Sequence, residues 1–419
     1  MKPGEGAEEF MDSMVYSGIL NKNSDIPGSC VPIRTAGVDW GSRLVLAERI
    51  VREPTGGALF CLNLNTLSRL IHTTLAALPL PHYAVKANSH PDLLSRMALQ
   101  GVTHFDVASL EELLAVRKVA PHATCAFMNP VKSRDEIQKA VSLGVTTFAL
   151  DSQDELDRLL SATQGVHGLC FIVRMKVSRG RAVYDMSGKF GATRDETKHL
   201  LARIVAGGIA CGLTFHVGSQ CLEPQAYATA IAEVAQLVRE MAIPLSVLDV
   251  GGGFPARYGD SEPSLDLFGA SIGEALTRAQ DAWEPSLIVQ SEPGRCVVAH
   301  AGSVAVQVIA RKGNQLVLGD GKHGLLSELW WMRAMHPVRR IIRAGKVDDG
   351  AMVPMEEYSL AGPTCDSNDF FPGPYRLPLD MAAEDWLEVG CLGAYSLELA
   401  TRFNGYGAFR LMTVDATSS

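Results

Sequence analysis

HFDVASLEELLAVRKVAPHATCAFMNPVKSRDEIQKAVSLGVTTFALDS, residues His104–Ser152, decides the fold. Three short runs in it are rich in apolar, β-favouring residues: HFDVAS (104–109), CAFMNP (125–130) and TTFALDS (146–152). Between them, SLEELLAVRKVA and SRDEIQKAVSLG repeat their apolar residues at helical spacing, so strand and helix alternate. Working outward, the same alternation runs from about Tyr83 to Ser291. YAVK (83–86) precedes, and LCFIVRM (169–175), LTFHVGS (213–219), SVLDVGGG (246–253) and LIVQSE (287–292) follow. Eight strand–helix units predict a (β/α)8 TIM barrel. A doubly wound open sheet usually has fewer strands and one dominant glycine-rich turn.

After Arg295 the pattern breaks. SVAVQVIAR (303–311), QLVLGD (315–320), EYSLAGP (357–363), DWLEVGC (385–391) and FRLMTV (409–414) sit among Gly and Pro turns. They predict an all-β domain of sandwich or Greek-key type. The first ~55 residues have weak periodicity and are expected to add strands to it. The expected division is 1–55 with the β domain, 56–297 as barrel and 298–419 as the β domain.

A chain of 419 residues is too long for one ordinary core, which agrees with two domains. Its 47% hydrophobic and 20% charged residues are those of a soluble globular protein. The net charge of −8, with no basic run, argues against nucleic acid. The nine cysteines are scattered without CxxC or metal-ligand spacing, so neither a disulfide framework nor a metal site is expected. The acidic N-terminus has no apolar signal core, and no run of ~20 apolar residues occurs. A reducing cytoplasm and no membrane contact are expected.

The chemistry-bearing residues gather at the C-terminal ends of the barrel strands, where this fold places active sites. Lys86 ends the first strand. A lone lysine is usually a surface residue, but the apolar Tyr83–Val85 before it points it into the mouth. Desolvation there is expected to lower its pKa and free an amine for a Schiff base. Gly251, Gly252 and Gly253 let backbone N–H groups approach an anion. The SEPGR loop (Ser291–Arg295) follows the last strand, where barrels commonly hold phosphate. Glu292 is placed to meet a cofactor ring, and His216, beside Gly218 and Ser219, to stack on one. Cys365 and Asp366 lie in a shaped loop of the β domain, and by pattern alone their function stays open.

Together these motifs resemble the alanine-racemase-like barrel decarboxylases, the ornithine, lysine, diaminopimelate and biosynthetic arginine decarboxylase family. YAVKAN, FDVAS, NPVK, KFGA, HVGSQ, GGGFP, EPGR, GPTCDS and GAYS…FNGYG occur in the family's order over about Leu59 to Tyr406. The resemblance implies pyridoxal 5'-phosphate on Lys86, with His216 stacked on its ring and Glu292 on the pyridine nitrogen. Asp106 and Arg174 would line the ring, and Ser219, Gly253, Gly294, Arg295 and Tyr395 would hold the phosphate. Cys365 would return a proton to the substrate, and Asp366 would meet its distal amine. The family shares its sites across a homodimer, so both would serve the other subunit's Lys86. Lys189 and Asp369 resemble a cross-subunit ion pair.

The pair Cys365–Asp366 resembles the ornithine/lysine branch, with one departure. Downstream of its DG-x-x-G turn that branch carries a second acid for the distal amine, and here Met332 stands in that place. His323 replaces the branch's usual Tyr, Trp330 and Trp331 adjoin Met332, and Phe403 belongs to the same substrate end. A lost charge-assisted contact costs roughly 1.5–3 kcal/mol. Either Glu328 compensates from one helical turn away, or the substrate is longer, substituted or less basic than ornithine. The rival readings are a racemase on the same barrel, to which EPGR and CDS do not belong, and an inactive binding homologue, which would have lost cofactor residues.

Overall fold

The computed structural model describes residues 43–53, 57–178, 180, 182–184, 188–259, 262–332, 336–350 and 352–415. The described chain opens with helix α1 (Arg43–Arg52) and strand β1 (Ala58–Asn63). β2 (Tyr83–Ala84), β3 (His104–Val107), β4 (Thr124–Phe127), β5 (Thr147–Leu150) and β6 (Cys170–Arg174) follow. Then come β7 (Ala182–Tyr184), β8 (Ala210–Thr214), β9 (Ser219–Cys221), β10 (Leu245–Asp249) and β11 (Ile288–Gln290). One parallel sheet runs β11-β10-β8-β6-β5-β4-β3-β2. A parallel bridge between Pro81 and Ser291 closes it into a cylinder. Across that seam the His82 N–H donates to the Ser291 carbonyl at 2.8 Å and the Ala84 N–H to that of Pro293 at 3.0 Å. The eight runs picked from the sequence are these eight strands; β7 and β9 pair with each other as a separate ribbon.

The crossover helices begin where the sequence supplies caps. Ser109, Ser133, Ser152 and Thr193 each accept the N–H three residues on, and Ser133–Glu136 and Thr193–Glu196 are full capping boxes. Strand alternation then sorts the side chains. Phe105, Phe127, Phe148 and Phe171 join the helix residues Leu113, Ile137 and Leu156 in one core. Ala126, Met128, Ala149, Ile172 and Val247 form a separate cluster of mostly smaller side chains, the filling of the cylinder. Two residues further along the same face, Arg174, Thr214, Asp249 and Gln290 stand in register on neighbouring strands. A polar layer therefore caps an apolar one at the C-terminal end.

The C-terminal strands are β12 (Gly302–Lys312), β13 (Gln315–Leu318), β14 (Val338–Arg343), β15 (Lys346–Val347), β16 (Met355–Ala361), β17 (Phe370–Pro378), β18 (Trp386–Val389) and β19 (Phe409–Val414). They form a mixed sheet ordered β15-β14-β18-β12-β13-β16-β17. β1 adds to it, antiparallel to β12 and parallel to β19. This corrects the boundary drawn at residue 56: ALFCLN is almost wholly buried and completes the β domain before the barrel begins. The expected N-terminal strands are corrected too, as far as they are described. Residues 43–52 form α1, whose Leu46, Ala47 and Ile50 pack on Ile341, Ile342 and Trp386. The remainder of the expected 1–55 segment, except Glu53, lies outside the described residues.

His82, at the seam, is buried, and neither ring nitrogen has a hydrogen-bond partner among the described residues. Burial, reinforced by the His104 ring 4.9 Å away, pushes its pKa down to about 3. Between that value and the ordinary 6.5 the unfolded chain binds a proton that the folded chain refuses. The stability linked to a neutral His82 is therefore lost as pH falls through this window. Replacing His82 with Phe should remove about 3 kcal/mol of the stability lost between about pH 7 and pH 4, at 1.36 kcal/mol per pKa unit. Urea unfolding at both pH values measures this, and equal acid losses in both proteins would refute it.

Candidate active site

Lys86 lies in a single 3-10 turn, Val85–Ala87, directly after β2. Its Nζ donates to Asp106 Oδ2 at 2.7 Å, and Asp106 is buried in β3. The lysine side chain keeps 41% of its exposure, so the amine is reachable from the mouth. The expected lowering of its pKa is corrected. Burial pulls the ammonium down, but Asp106, Glu292 and Tyr395 together outweigh it and hold it above the ordinary lysine value. Asp106, inside the neighbouring strand, is the first of the acids that reverse the effect of burial.

Glu292 follows β11 and its N–H donates to the Gly251 carbonyl at 2.9 Å. Burial first, then the charges of Asp249 and Asp106, drive its carboxyl well above the usual range, against Lys86 and Arg174. Asp249 itself is pushed up to about 7 by burial, although it accepts the Gln290 amide at 2.6 Å and the Gly251 N–H at 2.7 Å. Arg174 sits above the apolar filling with Phe190 5.5 Å from its guanidinium carbon. Burial lowers its pKa against the pull of Glu292, Asp151, Asp106 and Asp249. Asp249 and Gln290 went unread in the sequence. Strand parity, counted from the inward Val247, would have found the first.

His216 accepts the Gly218 N–H on Nδ1 at 3.0 Å, which leaves its proton on Nε2. Burial, then the charges of Arg174 and Lys86, pushes it down to about 3, so the ring is neutral. Gly251 and Gly253 have φ of 69° and 96°. A Cβ on either would lie 2.0 Å or 2.2 Å from the carbonyl oxygens of Phe215 and Gly218 respectively. The loop therefore packs flat against the His216 segment. Its first N–H is committed to Asp249 and cannot serve an anion, which narrows the expectation for Gly251.

Gly294 caps the short helix that begins at Arg295 and lies against Ala84 and Ala87, where a Cβ would have only 3.1–3.3 Å. Arg295 is buried, donates to the Tyr258 hydroxyl at 3.0 Å, pairs with Glu328 and lies over the Tyr395 ring at 4.9 Å. Glu328 is thus committed to Arg295, which corrects its expected use as a substitute for the acid missing at Met332. Met332 is buried on the helix Ser327–Met332. Tyr395, with φ of 63°, donates its N–H to the Ala87 carbonyl at 2.7 Å and ties the β domain to the Lys86 turn. Ser219 opens β9 opposite Tyr184.

Cys365 and Asp366 find their partners within the β domain. Cys365 is exposed, and its N–H donates to Asn404 Oδ1 at 3.1 Å. Asp366 is held far below the usual carboxylate range, first by Lys322, then by the Asn368 N–H and His323. His323 packs its ring 4.6 Å from that of Phe403. Asp369 is buried and accepts the N–H groups of Lys322 and Thr364 and the Thr364 hydroxyl, while Lys189 rests 4.7 Å over Phe190. Within one chain these two are not partners.

The mouth fits pyridoxal phosphate. Two buried polar atoms there, Asp106 Oδ1 and Arg295 Nε, have no hydrogen-bond partner among the described residues. An amine, a flat neutral imidazole and a buried carboxyl share the space. Among the described residues no cluster is built for a metal, and no helix is long and apolar enough to cross a membrane.

Residues 64–299 match the family described as pyridoxal-dependent decarboxylase, pyridoxal binding domain. A lysine/ornithine decarboxylase of Selenomonas ruminantium is 32% identical over 333 residues, 77% of this chain and 80% of that protein. Antizyme inhibitor 2 of Xenopus laevis is 31% identical over 393 residues, 86% of this chain and 82% of that one. The crystal structure of Paramecium bursaria Chlorella virus arginine decarboxylase superposes with a TM-score of 0.77 at 26% identity, covering 89% of this chain and all of that one. The chain belongs to the pyridoxal-dependent decarboxylase family, in its ornithine/lysine branch, and is a pyridoxal-phosphate-dependent amino-acid decarboxylase.

Proposed function

We propose that Lys86 carries the cofactor and that the substrate is an ornithine- or lysine-like diamino acid, or a longer or substituted relative. The convergence of Lys86, Asp106, Arg174, His216 and Glu292 on one strand-end mouth carries this reading. Bound there, pyridoxal phosphate supplies the electron sink for the bond to the departing carboxylate. Asp106 orients the Lys86 amine. Glu292 would face the ring nitrogen, where its buried carboxyl would supply a proton. Neutral His216 would stack on the ring without adding a charge. Ser219, Gly253, Gly294, Arg295 and Tyr395 would hold the phosphate, and the unpartnered Arg295 Nε supports that role.

Cys365 returns a proton to the substrate's α-carbon and Asp366 meets its distal group, both from the partner subunit of a homodimer. The exposure of Cys365, and of Trp331, Leu399, Phe403 and Tyr406, supports a second copy on this face. The free thiols of the described cysteines support a reducing, cytoplasmic setting.

Mixed dimers test the sharing. Lys86→Ala and Cys365→Ala subunits should each be nearly inactive alone. Unfolded together and refolded, they should regain about a quarter of the wild-type rate, because half the dimers then hold one intact site. No regain on mixing would show that each chain builds its own site.

A further inference from the structure

The loop that carries Asp366 is not charged like a clasp for an ammonium. Asp366 Oδ2 accepts from Lys322 Nζ at 2.9 Å and from His323 Nε2 at 2.9 Å, and Oδ1 accepts the Asn368 N–H at 2.8 Å. The Lys322 ammonium lies 4.5 Å from the centre of the Trp330 ring, and its side chain is only 16% exposed. It is held in place between the carboxylate and the indole. Met332 is buried on the same short helix as Trp330, and Glu328, one turn before it, belongs to Arg295. Asp366 is therefore already matched by an ammonium of its own chain, with no second carboxylate at Met332 or Glu328 to add.

An incoming alkylammonium would have to displace Lys322 or lie beside it, like charge against like. A distal carboxylate would meet Asp366 with the same difficulty. An uncharged amide suits the group on both sides. Its carbonyl oxygen accepts from Lys322 or His323, its N–H donates to Asp366, and its neutral body lies against Met332 and Trp330 without burying a charge.

We propose that Lys322 sets specificity, and that the substrate is an α-amino acid whose side chain ends in an uncharged amide, such as an N-acylated diamino acid. This rests on the shared-site reading above, which brings the Asp366 loop to the far end of the substrate. The mixed-dimer experiment tests that reading separately.

The test uses the wild-type holoenzyme. It is titrated calorimetrically with putrescine, cadaverine, N-acetylputrescine and N-acetylcadaverine. Release of CO2 is followed from L-ornithine, L-lysine, Nδ-acetyl-L-ornithine, Nε-acetyl-L-lysine and L-glutamate. The acetylated compounds should bind at least about ten-fold more tightly than the free diamines, and their parent acids should show a kcat/KM higher by a similar factor. Lys322→Met should erase that preference, and the further change Met332→Asp should turn it toward the free diamines. Equal or tighter binding of a free diamine to the wild type overturns the proposal, as does fastest turnover of L-glutamate. A preference untouched by Lys322→Met overturns the role of Lys322. If no amino acid releases CO2 while the acetylated amines still bind more tightly, the catalytic roles fall and the distal assignment stands.

Discussion

Lys86→Ala should leave a folded protein that purifies without the visible absorbance of a lysine-bound pyridoxal group and turns over at least about 10³-fold more slowly. The size of the effect follows from two jobs resting on one atom. In the proposed role the amine at the end of β2 is the attachment point, and its charge also balances the buried Asp106 carboxylate. The fold should survive. Lys86 lies in a single turn after the strand, keeps much of its exposure, and its removal leaves Asp106 without the partner at 2.7 Å. Lys86→Arg separates the jobs: it keeps the charge beside Asp106 but presents no nucleophilic amine, so it should be as inactive as the alanine variant. Retained colour or turnover in either variant would remove Lys86 from the reaction.

Glu292→Gln should lower kcat by about 10²–10³-fold, with a much smaller change in KM. The amide keeps the shape of the carboxyl and can still accept a hydrogen bond from a ring nitrogen. It cannot balance a positive charge there. Glu292 is buried near Asp249 and Asp106 on one side and Lys86 and Arg174 on the other, so its charge state answers to the whole mouth. If Glu292 balances charge at the ring nitrogen, its loss should appear in kcat. A loss below ten-fold, or one confined to KM, would make Glu292 a packing residue.

Much of the barrel was legible because its signals are local. Buried parallel strands read as short apolar runs, and Ser or Thr caps mark where each helix starts, so neither needs knowledge of the third dimension. Lys86, His216 and Glu292 were legible for the related reason that this fold exposes the ends of its strands. The polar layer of Arg174, Thr214, Asp249 and Gln290 was only half seen, because its members come from four different strands and meet only when the sheet curls. The pairing of Glu328 with Arg295, across 33 residues, and the engagement of Asp366 by Lys322 and His323 are likewise tertiary events. In the β domain, FFPGPYRLP hid β17 behind its prolines, and VRRIIR hid β14 behind arginines. Arg340 tolerates burial because Asp348, Asp380 and Asp385 surround it.

The pairing of β1 with β12 has a consequence for how the two halves are joined. Leu62 faces Gly302 and Cys61 faces Ser303. The polypeptide leaves the mixed sheet at one strand and re-enters at its immediate neighbour, with the entire cylinder strung between them. The cylinder is an inclusion, and its entrance and exit are zipped together about 4.8 Å apart. A segment so bounded suits grafting into another host at a two-strand junction, or reconnection with new termini, because the ends need no spacer. The same zipper means that a single proteolytic nick within the cylinder would leave both pieces fastened to the one scaffold.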